Sequence, residues 1–267
     1  MSTTSQASQR IAALLDENSF VEIGARVTAR STDFNLKQTD TPSDGVITGY
    51  GVIGGNLVYV YSQDASVLGG SVGEMHAKKI ANLYDLALKV GAPVIGLIES
   101  AGMRLQEATD ALNAFGEIYM KQVNASGVIP QITAIFGSCG GGLALIPTLT
   151  DFTFMESTKA KLFVNAPNAL DGNVITKCDT SSAAFQSEEA GNVDVVAEEA
   201  ELLAKIDVDG GLIGGAAKGY WSFLGTKIGF EFEPGNFLRT DFFSLTFGIS
   251  RVKDWRPSFV SRISASN

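Results

Sequence analysis

The sequence predicts an α/β fold with a largely parallel sheet, and two observations support this prediction. Short apolar runs that are typical of buried strands alternate with segments of helical periodicity from about residue 46 to residue 167. Two of these runs, "VIGLI" and "QITAIF", lead into small-residue turns that precede a helical segment. Strands that alternate with helices favour parallel pairing, because each helix returns the chain to the same edge of the sheet.

The first part of the chain predicts a helix and then a β-hairpin. Ile11, Leu14 and Leu15 share one face of a helix over "SQRIAALLDE". The stretch "VITGYGVIGGNLVYVYSQD" contains two strand-like runs separated by "GGN", which is typical of a hairpin. Its glycines also match G-x-G-x-x-G. The match leads into a second strand rather than a helix, so it does not indicate a dinucleotide site.

The remainder of the chain continues the alternation and then changes character. Helical periodicity runs over residues 74–90 and ends at Gly91, and a second helix is predicted over residues 104–125. Around these helices lie the strand-like runs "VIGLIES", "QITAIFGSC", "DFTFME" and "KLFVNAP", with a helix-compatible "GLALIPTL" among them. After about residue 207 the chain is rich in glycine and aromatic residues. We therefore predict one domain over residues 1–206 and a tail of unknown role over residues 207–267.

Composition excludes several classes of function. The net charge of −9 argues against nucleic-acid binding, which depends on many Lys and Arg contacts to phosphates. The first ten residues are polar, and no run of about 18 apolar residues follows, so we expect a cytoplasmic protein without a membrane-inserted segment. In that compartment the two cysteines, Cys139 and Cys178, are expected to be free thiols. Their spacing does not indicate a metal site.

The segment "GSCGGGLALI" first suggests a thiol nucleophile. Residues 137–141 fit a G-x-C-x-G form of the nucleophile elbow, in which a turn after a strand exposes Cys139. Such a cysteine normally requires a histidine base. The single histidine of the chain, His76, precedes Cys139 and lies on a predicted helix. We therefore expect Cys139 to be a buried structural residue and His76 to be a packed or hydrogen-bonded one.

The same segment also suggests backbone chemistry. The glycines at 140–142 allow a ligand to approach closely where a helix begins, so their N–H groups can hold an anion. The stretch "ESAGMR" supplies a similar turn after the preceding strand. N–H groups from two such turns that converge on one oxygen form an oxyanion hole for a developing enolate. From the pattern alone, the glycines could equally ease packing of the helices on the sheet, and both interpretations remain open.

Long motifs in this chain resemble the N-terminal half of the biotin-dependent acyl-CoA carboxyltransferases. They are "SDGVITGYGVI", "VYVYSQDASVLGGSVGEMHAKKI", "VGAPVIGLIESAGMRLQE" and "ASGVIPQITAIFGSCGGGLALIPTLTDFTFM". The family includes the β subunits of propionyl-CoA and methylcrotonyl-CoA carboxylases and the α subunits of sodium-pumping methylmalonyl-CoA and glutaconyl-CoA decarboxylases. The resemblance extends from about residue 10 to residue 205.

The resemblance implies a crotonase-like fold of repeated β-β-α units that binds a CoA thioester. It also implies transfer of a carboxyl group between the α-carbon of the acyl-CoA and biotin on a separate carrier protein. The positions that match the enolate-binding turns of the family are Ala101, Gly102, Met103, Gly140, Gly141 and Gly142. Arg30 matches a family arginine near the CoA phosphates, and Lys78 and Lys79 could meet the same phosphates. Arg30 could equally be a solvated loop residue, and charged residues on a helix, such as Lys78 and Lys79, usually just face solvent.

The sequence departs from the family in three places. The first turn has Ala101-Gly102-Met103 where the family has two glycines followed by alanine, so Met103 could narrow the acyl pocket. Residues 168–190 are shortened and rewritten, which leaves the substrate class open. The C-terminal half of the family is not recognisable after residue 207. We therefore expect a C-terminal-half carboxyltransferase subunit and a biotin carrier protein as partners, in a homo- or hetero-oligomer.

Two other functions remain open at this stage. The chain could be a crotonase-like decarboxylase or hydrolase that acts on a CoA thioester without biotin. It could also be a noncatalytic assembly subunit that keeps the fold, which the rewritten region and the unusual tail would allow.

Overall fold

The computed structural model describes residues 5–30, 40–166 and 178–214, with side chains to residue 206 in the last range. The tail predicted from residue 207 therefore lies almost entirely outside the described residues. The helices are α1 (Gln6–Leu14), α2 (Glu74–Val90), α3 (Ala108–Ala125), α4 (Leu145–Thr148), α5 (Ala183–Glu188) and α6 (Glu199–Gly214). The strands are β1 (Val21–Ile23), β2 (Val46–Ile53), β3 (Asn56–Gln63), β4 (Val94–Ile98), β5 (Gln131–Ile135), β6 (Ser138–Gly140), β7 (Phe152–Glu156), β8 (Lys161–Phe163) and β9 (Val195–Ala197).

Seven strands form one mixed sheet in the order β1-β2-β3-β4-β5-β7-β9. The pairs from β1 to β3 are antiparallel, whereas the pairs from β3 through β9 are parallel. Strands β6 and β8 form a separate parallel pair. The structure thus confirms the predicted α/β fold with largely parallel pairing.

The predicted hairpin is present as β2 and β3. Ile53 pairs with Asn56, so the loop consists of Gly54 and Gly55. Both glycines have positive φ, +55° and +83°, which the tight two-residue turns of twisted hairpins require. The G-x-G-x-x-G match therefore lies in a β-hairpin and does not open a helix.

Helices cover both faces of the sheet. All five residues of β4 and all five of β5 are buried, which requires cover on each side. On one side α2 and α3 pack on each other and on the sheet, in a core that includes Tyr61 and Ile118. Helices α1 and α6 contact each other and both contact β3. Among the described residues, no helix combines the length and apolar composition that crossing a bilayer requires.

A buried arginine joins α1 to the centre of the sheet and to α6. The Arg10 guanidinium lies 2.5 Å from a Glu99 carboxylate oxygen and 2.7 Å from one of Glu199. Its charge also stands over the ring of Phe136, 4.4 Å from the centroid. The helix itself spans Gln6–Leu14. It begins two residues earlier than expected because the side chain of Ser5 caps its N-terminus, and it ends three residues sooner because Leu15 is extended.

The structure differs from the sequence prediction at two boundaries. The helix expected from residue 104 begins at Ala108, after a short 3₁₀ helix at Leu105–Glu107. The strand expected over "QITAIFGSC" divides into β5 and β6. At this break a Cβ on Gly137 would stand 2.7 Å from Cγ of Glu99, so the chain can pass only because residue 137 has no side chain. The first small-residue turn, residues 101–103, follows β4, and the second, residues 140–142, begins at the last residue of β6.

The glycines at 96 and 116 provide a paired test of the packing. A Cβ on Gly96 of β4 would overlap with the buried Tyr61 ring, whereas a Cβ on Gly116 of α3 would meet no atom within 4 Å. Gly96→Ala should lower the free energy of unfolding by about 1–3 kcal/mol through overpacking. Gly116→Ala should raise it by about 0.5–1 kcal/mol through helix propensity. Urea denaturation of both variants measures the two changes, and changes of the same sign would contradict the packing described here.

Candidate active site

The two small-residue turns lie side by side at one edge of the sheet. Their parent strands are parallel neighbours, with Ile98 paired to Ile135 at the last rung. Beyond it, the Ser100 N–H donates to the Ser138 carbonyl at 3.1 Å. A Cβ on Gly102 would lie 3.6 Å from the carbonyl oxygen of residue 140. The first turn (residues 101–103) and the second turn (residues 140–142) are therefore neighbours, close enough for a side chain at position 102 to touch the second turn.

Two of the three N–H groups in the first turn are occupied within the protein. The Ala101 N–H donates to the Gly69 carbonyl at 2.8 Å. The Gly102 N–H donates to Oγ of Ser100 at 3.1 Å. Gly102 has a φ of +96°, in the left-handed region that glycine adopts without strain. These bonds fix the shape of the turn, and they leave Ala101 and Gly102 without an N–H to offer a ligand.

Met103 supplies the remaining N–H of the first turn. Its two neighbours in the chain bond to Val72: the Val72 N–H donates to the Gly102 carbonyl at 2.8 Å, and the Arg104 N–H donates to the Val72 carbonyl at 2.9 Å. The Met103 N–H has no acceptor among the described residues. The Met103 side chain is half-buried against the hydrophobic core. The turn thus presents one free donor on a backbone held at both sides.

The second turn opens a 3₁₀ helix, Gly141–Ala144. The first N–H groups of a helix have no acceptor within it, and Gly142 occupies the second position on an exposed face. Gly141 has a φ of +64°, and a Cβ there would point into open space. A Cβ on Gly140 would stand 2.5 Å from the Phe163 ring. Only glycines therefore fit at 140 and 141, and Gly142 carries the exposed helix-initiating N–H.

Cys139 is inside the protein and cannot act as a nucleophile in this structure. The side chain is fully buried, and its Sγ donates to the Leu143 carbonyl at 3.6 Å. Burial raises the pKa of the thiol far above its usual range. The expectation of a structural cysteine is confirmed, and both Cys139 and the exposed Cys178 are free thiols as predicted.

His76 is a packed residue with a defined tautomer. Its Nδ1 lies 2.9 Å from the Asp44 carbonyl, which can only accept, so Nδ1 carries the hydrogen. Nε2 is then the acceptor for the Gln63 amide at 3.1 Å. Complete burial, with the nearby Arg104 charge, lowers the pKa of His76 to about 3. The ring is neutral and fully engaged, in agreement with the sequence prediction.

A buried ionic cluster, which the sequence analysis missed, supports the first turn. It consists of Arg104, Asp44, Glu107 and Ser71, and we call it the Arg104 cluster. The guanidinium Nη1 donates to a carboxylate oxygen of Asp44 at 2.6 Å and to one of Glu107 at 2.9 Å, while Nη2 donates to the Ser71 carbonyl at 2.7 Å. Burial raises the pKa of Asp44, and the Arg104 charge partly offsets this effect.

The cluster extends to the start of α2. The second carboxylate oxygen of Glu107 accepts from the Glu74 N–H at 2.6 Å, which satisfies a donor that the helix itself cannot. Gly73 has to be glycine, since a Cβ there would stand 2.5 Å from the Arg104 Nη1. In sequence, the i,i+3 pair Arg104 and Glu107 resembles an exposed helical ion pair. Gly73 is the position in the sequence that reflects the close approach of the Arg104 side chain, but no sequence pattern connects residue 73 with residue 104.

Two of the predicted phosphate-binding cations lie on the surface beside the cluster. Arg30 and Lys78 are each 50% exposed, and both form ion pairs with Glu74, the Lys78 pair at 2.6 Å. Arg30 also pairs with Asp110 at 3.0 Å. These pairs bring the two cations together at the N-terminal end of α2.

Lys79, the third predicted cation, points into the protein. Its ammonium donates to the Ser43 carbonyl at 2.9 Å and to the Val46 carbonyl, and the side chain is 7% exposed. Burial lowers the pKa of Lys79 to about 8. A shallow pocket of about 180 Å³ lies between Lys78 and Lys79, with Val27 and Met75 in its wall. The structure therefore brings Arg30 and Lys78 together and gives Lys79 internal partners.

Comparison with known proteins identifies one family by sequence and by structure. The sequence model of the carboxyl transferase domain family matches residues 4–207 of this chain. The chain is 43% identical over 204 residues to methylmalonyl-CoA decarboxylase subunit alpha of Veillonella parvula, covering 75% of this chain and 40% of that protein. It is 48% identical over 164 residues to the propionyl-CoA carboxylase beta chain of Roseobacter denitrificans, covering 61% of this chain and 32% of that protein. The chain thus spans 32–40% of the length of these two relatives.

A solved structure matches the fold as well. Transcarboxylase 12S, determined as a hexamer assembly with methylmalonyl-coenzyme A and methylmalonic acid bound, superposes with a TM-score of 0.70 at 37% identity. The match covers 75% of this chain and 40% of that chain. The crotonase-like α/β fold expected from the sequence is thereby confirmed.

The single histidine allows a direct test of its environment. Because the pKa of His76 is about 3 in the folded protein and about 6.5 in an unfolded chain, only the unfolded state binds a proton between those values. Lowering the pH through this window should therefore remove stability, by up to about 1.4 kcal/mol per pH unit. The ¹H–¹³C NMR signal of the imidazole should not titrate between pH 8 and 5. A midpoint near 6.5 in the folded protein would contradict the buried neutral ring.

Proposed function

The chain belongs to the carboxyl transferase domain family, and from this premise we propose that it is a carboxyltransferase subunit that moves a carboxyl group between the α-carbon of an acyl-CoA and biotin. The observation that carries the proposal is the proximity of the two turns, where the Met103 N–H has no acceptor among the described residues and the Gly142 N–H opens a helix. Two backbone N–H donors that lie close together can stabilise an anionic oxygen by hydrogen bonding.

The proposed chemistry agrees with the groups that this chain presents. When a carboxyl group leaves the α-carbon of a thioester, its electron pair moves onto the thioester oxygen, and the barrier falls if fixed dipoles stabilise that oxygen. The N–H groups of Met103 and Gly142 would supply these dipoles. We infer that Ala101 and Gly102 shape the first turn, and that Gly140 and Gly141 let the acyl group approach the second. No thiol or imidazole takes part, which is consistent with the inert Cys139 and His76.

We propose Arg30 and Lys78 as the cations that meet the phosphates of CoA. Both are exposed, and their carboxylate partners can be exchanged for a phosphate because exposed ion pairs contribute little. Lys79 would reach a phosphate only by giving up two backbone carbonyls inside the protein. We therefore assign Lys79 a structural part, in holding the segment before β2.

We further propose that other chains complete the reaction. This chain covers less than half of the length of these relatives. On the resemblance to carboxyltransferases, we propose that a C-terminal-half subunit supplies the biotin-facing surface in a hetero-oligomer. Biotin, carried by a separate protein, would supply the carboxyl donor or acceptor, and we assign no described residue to it. Propionyl-CoA and methylmalonyl-CoA are the acyl-CoA substrates to test first, since they appear in the names of the relatives. A cytoplasmic location stays a prediction.

Gly141 provides a test of the second turn with a matched control. Gly141→Val should reduce carboxyl transfer by at least about a hundredfold, because the side chain would project into the open space beside Gly142. Gly191 has a similar φ, +66°, and equally open surroundings, but it lies in the loop after α5. Gly191→Val should therefore cause similar backbone strain and retain activity. Transfer is measured with methylmalonyl-CoA on the complex purified through a tagged copy of this chain.

The same assay separates the alternatives. Equal loss in both glycine variants would show that strain, and not the site, accounts for the effect. Decarboxylation of methylmalonyl-CoA by the purified chain alone, with avidin present to block biotin, would support a biotin-independent enzyme instead. A complex that neither binds nor converts a CoA thioester would favour an assembly subunit.

Lys78 tests the phosphate contact. Lys78→Glu should raise KM for the acyl-CoA by about tenfold with little change in kcat, because a phosphate-binding charge is reversed far from the reacting carbon. The increase should shrink as the salt concentration rises. Lys205→Glu is the matched control, since Lys205 forms the same i,i+4 pair, with Glu201 on α6. Equal KM values for the two variants would remove Lys78 from the proposed site.

A further inference from the structure

We propose that the Tyr119 hydroxyl is a positioning group for the second turn, and that it holds Gly142 in the conformation that presents its N–H to the enolate. This inference rests on the function proposed above. It concerns a residue of α3 that neither the motifs nor the oxyanion chemistry singles out.

Tyr119 and Phe115 form the surface on which Gly142 lies. The Tyr119 hydroxyl donates to the Gly142 carbonyl. The Tyr119 ring stacks with that of Phe115, with 6.0 Å between centroids and 29° between planes. A Cβ on Gly142 would be 3.1 Å from the Tyr119 hydroxyl oxygen and 3.7 Å from the Phe115 ring. The backbone of the turn therefore rests directly on this aromatic pair.

The hydroxyl restrains a backbone that is otherwise unusually free. Three consecutive glycines have a wide choice of φ and ψ, so the direction of each N–H has to be imposed from outside. The Gly142 carbonyl accepts from both the Tyr119 hydroxyl and the Leu145 N–H. In helical geometry the N–H and C=O of a residue point toward opposite ends of the helix. The Gly142 N–H belongs to the preceding peptide unit, which is joined to the held carbonyl through the two backbone dihedral angles of Gly142. We infer that fixing the carbonyl restricts these angles and, with them, the direction of the N–H.

The two turns are thus stabilised in different ways. In the first turn, backbone and Ser100 bonds occupy the N–H groups that precede Met103. The second turn consists of three glycines and has no side chain of its own, and among the described residues Tyr119 donates a side-chain hydrogen bond to it. Burial raises the pKa of Tyr119 to about 12, so the hydroxyl remains a donor at neutral pH. Tyr119 acts on Gly142 and contributes no atom to the reaction itself.

Tyr119→Phe tests this assignment because it removes one hydroxyl and keeps the stacked ring. In the purified complex, kcat with methylmalonyl-CoA should fall about tenfold while KM stays within about twofold, since the oriented N–H matters most when charge develops. Affinity for 2-nitropropionyl-CoA, whose nitronate mimics the enolate, should fall by the same factor in calorimetry. Affinity for propionyl-CoA should not change. Amide hydrogen exchange over residues 138–145 should become faster.

Tyr50→Phe is the matched control. Tyr50 lies on β2, its ring is tilted by 48° against that of Tyr59 with 5.8 Å between centroids, and its hydroxyl has no hydrogen-bond partner in the part of the chain that the structure describes. This variant should resemble the wild type in every measurement. A parallel loss in both variants would show that removal of any tyrosine hydroxyl has the same effect, and the proposal would fall.

Other outcomes are equally decisive. Unchanged kcat and nitronate affinity in Tyr119→Phe, with an active wild type, would overturn the inference and leave the proposed function intact. Equal loss of propionyl-CoA and nitronate binding, accompanied by a lower Tm, would reduce Tyr119 to a packing role and also overturn it. If the wild type neither transfers carboxyl groups nor binds a CoA thioester, the proposed function fails. Hydrogen exchange then still decides whether Tyr119 holds the turn: faster exchange supports it, and unchanged exchange refutes it.

Discussion

The buried guanidinium of Arg104 is the interaction on which the arrangement of the site depends. It binds Asp44 in the segment before β2, Ser71 in the segment before α2 and Glu107 in the segment before α3. A buried charge is costly unless its partners are in place, so these three segments must assemble together. Met103 immediately precedes Arg104 in the chain. The position of its N–H is therefore fixed by a cluster that no ligand needs to touch.

The second turn reaches comparable order without any charge. Phe163 covers Gly140 from one side, and the stacked pair of Phe115 and Tyr119 supports Gly142 from below. An ionic cluster therefore defines one half of the proposed oxyanion hole, and aromatic packing defines the other. Because the two halves are built independently, the gap between them is set by the register of β4 and β5, whose residues are all buried. The pairing of β4 with β5 therefore sets the distance between the two turns.

Elements governed by local pattern could be predicted from the sequence, whereas those governed by distant partners could not. Helix α2 has the predicted bounds because its apolar period and the terminal Gly91, with φ +74°, are both local signals. The start of α3 was placed too early because Arg104 and Glu107 are drawn inward by groups far along the chain. The turns themselves followed from strand and helix alternation. Which N–H groups stay free depends on the Gly69 carbonyl and on the Ser100 hydroxyl, and a one-dimensional pattern does not contain that information.

The opposite orientations of two adjacent lysines have a chemical consequence under the proposed function, in which an activated acyl group comes close to the protein. A lysine with a lowered pKa is a nucleophile toward thioesters, and Lys79 is such a lysine. Its amine, however, is enclosed beneath the carbonyls of Ser43 and Val46, beyond the reach of an acyl donor. The exposed Lys78 is paired with Glu74, and the hydrogen bond to that carboxylate raises the pKa of the ammonium above its ordinary value. Under the proposed function, this arrangement would limit acylation of the helix by its substrate, because the amine with the lowered pKa is buried and the exposed one is paired with a carboxylate.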